Sequence, residues 1–183
     1  VLVDIRNIVT KFQPKNSGTD VTDVPRAIKQ IRADPGMDKL PTGIASLDKM
    51  LYGGLGVEEL AIVMAPPGRG KSATLMNIMY GSMIARKSVL YVTLEMSEKA
   101  TIRRFYSRIA YASKKDMIDE EFIAKSAKKF FTISGATGRI VYFPSKTFSV
   151  IELEHLLETY SLYYDFNPDL VIVDYLDLLS PRK

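Results

Sequence analysis

One stretch constrains this chain more than any other: it runs from Ala65 to Ser72 and ends in Gly-Lys-Ser. The apolar run 60–64 precedes it, and a helical pattern begins at Lys71. Loops of the form G-x-x-x-x-G-K-[ST] between a strand and a helix point successive backbone N–H groups at phosphates. Ala65 replaces the leading Gly, where the residue needs only to be small. The sequence therefore predicts a phosphate-binding P-loop; the alternative is a Gly/Pro turn that happens to precede a helix.

Such a loop predicts a site for Mg-ATP. The backbone N–H groups of residues 68–72 would point at the phosphates, aided by the positive end of the following helix. Lys71 would reach the β and γ phosphates, and the Ser72 hydroxyl would bind Mg²⁺. Arg69 is more simply a solvated loop residue than a phosphate contact. The predicted nucleotide-binding set is Ala65, Pro66, Pro67, Gly68, Arg69, Gly70, Lys71, Ser72 and Ala73.

Two carboxylates follow apolar runs further along the chain. Asp174 comes directly after Leu170–Val173, where an Asp in a P-loop protein binds Mg²⁺; a cap or turn residue is the alternative. Glu95 ends the strand predicted over residues 88–94. A carboxylate there could polarise the attacking water as a general base, although after a strand it is often only a loop residue. We expect Asp174 to bind metal and Glu95, with Lys71, to act in catalysis.

The rest of the chain from residue 40 alternates helical and strand patterns, which predicts an α/β fold with a mostly parallel sheet covered on both faces. Methionines at helical spacing are expected in the core. Arginines of the next helix are expected on a solvated face, and a subunit or DNA contact is the alternative. The predicted strands are 60–64, 88–94, 139–143 and 170–173, and the predicted helices are 71–86, 98–112, 120–131 and 149–160. The methionines expected in the core are Met76, Met79 and Met83. The arginines of the next helix are Arg103, Arg104 and Arg108.

The amino-terminal part has a different pattern. Residues 1–13 have apolar side chains close to helical spacing, and residues 14–20 are typical of a linker. A short helix is predicted with Thr22 or Asp23 near its cap and Pro25 in its first turn, and it is predicted to end at Pro35-Gly36. We therefore divide the chain into a linker and helical segment, 1–39, and an α/β core, 40–183.

Composition excludes several classes of function. The chain has no Cys and one His, so disulfides, thiolate metal sites and histidine-rich metal sites are excluded. It has no apolar run near the roughly 18 residues of a membrane span and no signal peptide at its start, so we expect a cytoplasmic protein without a membrane partner. The net charge of +4 suits a nucleic-acid partner, but many metabolic enzymes share it.

Three segments together resemble the hexameric replicative DNA helicases of the DnaB type. Leu-Glu-Met-Ser at 94–97 is the most specific of them. The second is Asp-Tyr-Leu-Asp-Leu-Leu at 174–179, and the third is Leu-Pro-Thr-Gly-Ile-Ala-Ser-Leu-Asp at 40–48. The resemblance covers residues 40–180 and implies a RecA-like fold, ATP hydrolysis between ring subunits and movement along single-stranded DNA. It also implies self-assembly into a hexamer, and a primase or helicase loader as a further partner.

The resemblance gives Lys71 and Ser72 the nucleotide and Mg²⁺ roles, Glu95 that of catalytic base and Asp174 that of the second metal-binding carboxylate. It implies that residues 1–13 pack on a neighbouring subunit; packing on their own domain is the alternative. In this family an arginine finger, a γ-phosphate sensor and DNA-binding loops follow the Asp174 strand. We therefore expect a motor that stops after this strand to bind nucleotide while hydrolysing it slowly.

Some residues depart from the family pattern. Ala65 leads the P-loop, Asp177 replaces a usual Gln, and Gly53-Gly54-Leu55-Gly56 is closer to recombinases, to KaiC or to phage versions of the helicase. The main hypothesis is the ATP-driven motor of a replicative helicase of a phage or plasmid type. The alternatives are a non-helicase RecA-like ATPase, such as a recombinase or a KaiC-like regulator, and a nucleotide-dependent switch or loader.

Overall fold

The computed structural model describes residues 20–33, 39–113 and 119–180. The predicted helix over residues 1–13 and the predicted stop at Pro35-Gly36 lie outside these ranges. The chain divides into two compact units, Val1–Met37 and Asp38–Lys183. In the first unit, helix α1 spans Val24–Ala33, so the predicted short helix is present with Pro25 in its first turn.

The second unit alternates helices and strands, as the sequence predicts. In the part of the chain described, its three strands form one parallel sheet with the order β2–β1–β3. No helix there is both long and apolar enough to cross a membrane. The elements are α2 (Ala45–Met50), α3 (Lys71–Ile84), β1 (Val89–Thr93), α4 (Glu98–Ala110), α5 (Glu120–Ser134), β2 (Gly138–Tyr142), α6 (Val150–Tyr164) and β3 (Leu170–Asp174), followed by a 3₁₀ turn at Leu176–Leu178.

Side-chain caps fix where several of these helices begin. The Ser97 hydroxyl accepts from the Ala100 N–H at the start of α4, and Asp119 accepts from the Phe122 N–H at the start of α5. At α6, Ser149 forms a capping box with Glu152. Each cap satisfies an N–H group that has no partner within its helix. These caps explain why the predicted helix starts lie within a residue or so of the observed ones.

The sheet separates two apolar cores, which gives three layers. On one face α3 packs on β1 and β3, α4 packs on β2, and α5 joins them in one apolar core, with Met76, Met79 and Met83 of α3 buried as predicted. On the other face α6 covers the alternate residues of β1, including Leu90 and Val92. All five residues of β1 are buried, because this strand has a neighbour on each edge and helices on both faces. The predicted α/β fold with helices on both faces is confirmed.

The prediction of a strand at residues 60–64 is wrong. These residues belong to no sheet, and Leu60, Ile62 and Met64 are 82%, 59% and 86% exposed. A cavity of about 310 Å³ is lined by residues 55–59 and also by residues 169–171 near the start of β3. An apolar run becomes a strand only where another strand pairs with its backbone. Among the described residues, none does so here.

The segment that opens the second unit is anchored to α3. The Asp48 carboxylate accepts hydrogen bonds from the Thr42 N–H at 2.7 Å, the Thr42 hydroxyl at 2.6 Å and the Gly43 N–H at 3.1 Å. Gly43, at φ 74°, packs directly on Gly81 of α3, where a Cβ on either residue would come within 2.5 Å of the other Cα. The Leu40–Asp48 motif thus acts structurally, by locking a turn against the helix that follows the P-loop.

Candidate functional site

The loop before α3 presents its backbone rather than its side chains. Gly68 and Gly70 have φ values of 73° and 91°, a region that favours glycine, and beyond their chain neighbours no described atom lies within 4 Å of where a Cβ would stand on either. Gly70 is the N-cap of α3 and supplies no side-chain hydrogen bond to its first turn. The N–H groups of that turn are therefore open to an external acceptor at the positive end of a 14-residue helix.

The P-loop lysine meets the end of β3. The Nζ atom of Lys71 lies 4.6 Å from the centroid of the Tyr175 ring, and Tyr175 directly follows Asp174. Ser72, next to Lys71, is half-buried in the first turn of the same helix, which packs against both β1 and β3. The chain thus brings the predicted phosphate-binding lysine to the predicted metal-binding strand end, across about a hundred residues of sequence.

Asp174 lies on the α3 side of the sheet and is 1% exposed. Its Oδ2 atom accepts a 2.8 Å hydrogen bond from the Tyr91 hydroxyl of β1, whereas its Oδ1 atom is buried and has no hydrogen-bond partner among the described residues. Burial and the nearby Asp174 carboxylate raise the pKa of Tyr91 above its ordinary value, so the phenol stays a donor. A buried carboxylate oxygen without a partner is costly, which fits a bound cation or its water.

Glu95 lies in the exposed turn that follows β1, separated from it by the buried Leu94. Its charge is among the minor causes that raise the pKa of Tyr91, after burial and Asp174. The turn is shaped by Thr93, whose hydroxyl donates to the Met96 carbonyl and accepts from the Met96 N–H. An exposed carboxylate held at a strand end is accessible to a substrate-bound water.

One sequence expectation near the site is wrong. Arg103 and Arg104 are exposed, as predicted, but Arg108 is half-buried. Its Nε atom donates to Asn77 Oδ1 of α3 at 2.6 Å, and its guanidinium lies 3.9 Å from the ring centroid of Tyr80. A planar cation stacks favourably on an aromatic face, and here the acceptor and the ring are both on α3. Arg108 therefore joins α4 to the P-loop helix rather than facing solvent.

Sequence reasoning did not identify Tyr91 and Tyr175 as neighbours of the site. In the sequence, Tyr91 is one residue of an apolar strand, and Tyr175 is one residue of the Asp174–Leu179 motif. Residue alternation offers a partial clue, because Tyr91 and Asp174 fall on the same face once β1 and β3 pair with Thr93 opposite Asp174. That register is not available from the sequence.

The DnaB-like helicase C-terminal domain family matches residues 39–183. A curated relative, the DnaB-like replicative helicase of Enterobacteria phage T4, is 27% identical over 146 residues, which cover 76% of this chain and 30% of the phage protein. A solved ATPase domain superposes with a TM-score of 0.67 at 23% identity, covering 92% of this chain and 61% of that one. A DnaB-like replicative helicase, solved in a study of its interactions with primase, gives a TM-score of 0.67 at 18% identity, covering 98% and 44%.

The two structural similarities establish the RecA-like ATPase fold alone, because both identities are below 25%. The chain spans about a third of its phage relative and about half of the solved chains it matches. The family match, in contrast, extends from the anchored segment before α2 through the P-loop and β3. It confirms the resemblance drawn from the three sequence segments, and family membership implies nucleotide binding. The chain belongs to the DnaB-like helicase C-terminal domain family.

Proposed function

We propose that this chain binds Mg-ATP at residues 65–73 and hydrolyses it as the motor of a replicative DNA helicase. The backbone N–H groups of Gly68–Ser72 would hold the phosphates at the uncapped start of α3. Lys71 would leave the Tyr175 ring, which it contacts in this structure, to pair with the β and γ phosphates. The observation that carries the proposal is the open glycine loop joined directly to that free helix terminus.

The Ser72 hydroxyl and the Asp174 carboxylate would hold Mg²⁺, and the two residues belong to elements in contact, α3 and β3. The unpartnered Oδ1 atom of Asp174 is an acceptor for the ion or its water shell. Bound there, Mg²⁺ would neutralise charge on the phosphates. Glu95, exposed beyond the end of β1, would take the proton of the attacking water.

Coupling of ATP hydrolysis to DNA is proposed from the family rather than from the geometry of the site. We place the core at residues 40–183 and the linker at 1–39, in line with the family match from residue 39 and the compact unit that begins at Asp38. As in helicase rings, the subunits would assemble as a hexamer around single-stranded DNA in the cytoplasm, with a primase or loader as a partner. The net charge of +4 is compatible with a phosphate backbone. Because the site would be completed by a neighbouring subunit, we expect slow hydrolysis by this 183-residue chain alone.

Thermal unfolding with nucleotide tests the site. Mg-ADP at a hundredfold excess over Kd should stabilise the chain by about 2.7 kcal/mol. At about 2–4 °C per kcal/mol for a chain of this size, Tm should rise by about 5–10 °C. Lys71→Ala should remove most of this rise, because the ammonium that faces the phosphates is lost.

Lys125→Ala is the matched control. Lys125 is exposed on α5, so this variant loses the same charge away from the loop and should keep the full rise in Tm. An equal rise in Lys71→Ala and Lys125→Ala would place the nucleotide elsewhere. No rise in the wild-type chain would refute nucleotide binding itself.

A further inference from the structure

The hydrogen bond between Tyr91 and Asp174 joins the central strand β1 to the last residue of its neighbour β3. Tyr91 lies opposite Ile172 in the register of β1 and β3, and Asp174 lies opposite Thr93, so the phenol reaches diagonally to the carboxylate. Both side chains are 1% exposed, and the distance from the hydroxyl to Oδ2 is 2.8 Å. The contact is therefore shielded from water and has the usual length of an O–H···O hydrogen bond.

The two oxygens of Asp174 have different surroundings. Oδ2 is satisfied by the phenol, whereas Oδ1 has no partner among the described residues. The two oxygens of an ionised carboxylate are chemically equivalent, so either one can accept from the phenol. Whichever oxygen does so, the hydrogen bond fixes the plane of the carboxylate and leaves the other oxygen without a partner. The structure thus separates an oxygen held by the protein from an oxygen left for a ligand.

We propose that Tyr91 is a positioning residue, which holds Asp174 by Oδ2 so that Oδ1 is presented to the Mg²⁺ of the bound nucleotide. This inference rests on the proposed function. Groups that orient a metal-binding side chain typically contribute 10- to 100-fold in metal affinity, although they never touch the ion. Tyr91 therefore acts on metal affinity through Asp174 and leaves the metal-independent contacts of the P-loop unchanged.

The test uses Tyr91→Phe, which removes one oxygen and keeps the ring. Mn²⁺ binding to the chain in the presence of ADP is followed by electron paramagnetic resonance, and ADP binding in EDTA is measured in parallel. We expect Mn²⁺ to bind about 10- to 100-fold more weakly to Tyr91→Phe, with ADP affinity in EDTA unchanged. Tyr142→Phe, an exposed phenol on β2, is the matched control and should bind Mn²⁺ as the wild type does.

A purely structural role gives a different result. Tyr91→Phe would then unfold at a lower temperature but bind Mn²⁺ with wild-type affinity, and the positioning role would be refuted. In an Asp174→Asn background, Tyr91→Phe should have no further effect on Mn²⁺ binding. A further large loss there would show that Tyr91 acts by another route. If the wild-type chain bound ADP neither in EDTA nor with Mn²⁺, the proposed function would fail, and this inference with it.

A measurement without substitution covers the case in which Tyr91→Phe does not fold. Tyr91 is the one buried tyrosine among the ten of this chain, all of which lie in the described ranges. In a chain labelled with 3-fluorotyrosine, its ¹⁹F resonance is therefore the one that a soluble paramagnetic agent leaves sharp. Adding Mg²⁺ to the ADP complex should shift this resonance. An unmoved resonance at saturating Mg²⁺ would overturn the proposal.

Discussion

Replacing Gly81 by Ala should destabilise the protein, although Ala is the better helix former. In an exposed helix interior the change would gain about 1 kcal/mol, because Gly loses more backbone entropy on folding. Here the added Cβ would lie 2.5 Å from the Gly43 Cα and 2.5 Å from the Thr42 carbonyl oxygen. Both are backbone atoms, so no flexible side chain can move aside to relieve the overlap.

The turn that meets Gly81 is also held in place. Asp48 accepts its hydrogen bonds from Thr42 and Gly43, and the Ser82 hydroxyl donates to the Pro41 carbonyl at 3.2 Å. Overpacking of a site that cannot yield costs about 3 kcal/mol, at the upper end of the usual range. After the gain in helix propensity, the net loss is about 2 kcal/mol, or about 4–8 °C in Tm for a chain of this length.

Thermal unfolding and urea denaturation measure this loss directly. Ile84→Ala is the control, because Ile84 lies in the last turn of the same helix and is 45% exposed. At about 0.8 kcal/mol for each fully buried carbon, the loss of three half-buried carbons should cost only about 1 kcal/mol. If Gly81→Ala unfolded at or above the wild-type temperature, the close contact between Gly43 and Gly81 would not constrain the fold, and the argument would be wrong.

Two further predictions concern carboxylates. Asp48→Ala should destabilise the chain by about 2–3 kcal/mol in urea denaturation, because it leaves the buried Thr42 without its charged acceptor. Asp48→Asn should recover part of that loss, and equal stability of all three proteins would contradict the anchoring role. Glu95→Gln should leave nucleotide binding intact while lowering ATP hydrolysis in the assembled ring at least about 100-fold, as for a lost general base. Steady-state turnover near wild type would show that Glu95 is not the base.

The sequence predicts the structural features that depend on local pattern, such as helix positions and loop conformation. The helical period of the apolar residues and the capping residues predict where the helices lie. Met76, Met79 and Met83 are in the core because helical spacing puts them on one face. Gly68 and Gly70 have the positive φ values that the P-loop pattern requires. These features need no knowledge of which elements become neighbours.

What the sequence could not predict depends on partners that are distant along the chain. The apolar run 60–64 looks like a strand, yet pairing decides whether it becomes one, and no described strand pairs with it. Arg108 looks like a surface cation until Tyr80 and Asn77 of α3 are placed beside it. The Tyr91–Asp174 bond joins residues 83 positions apart, and only the register of β1 and β3 reveals it.

The run 60–64 also sets how stability is distributed around the P-loop. On one side of the loop, α3 is packed into the core. On the other side the backbone amides of residues 60–64 make no hydrogen bond to the described part of the chain. Amide hydrogens exchange with solvent most readily where local opening disrupts few contacts. The protection of backbone amides against hydrogen exchange should therefore rise steeply between residue 64 and Met76. A ligand that orders the P-loop would therefore increase amide protection most on the side of residues 60–64, where local opening costs the least free energy.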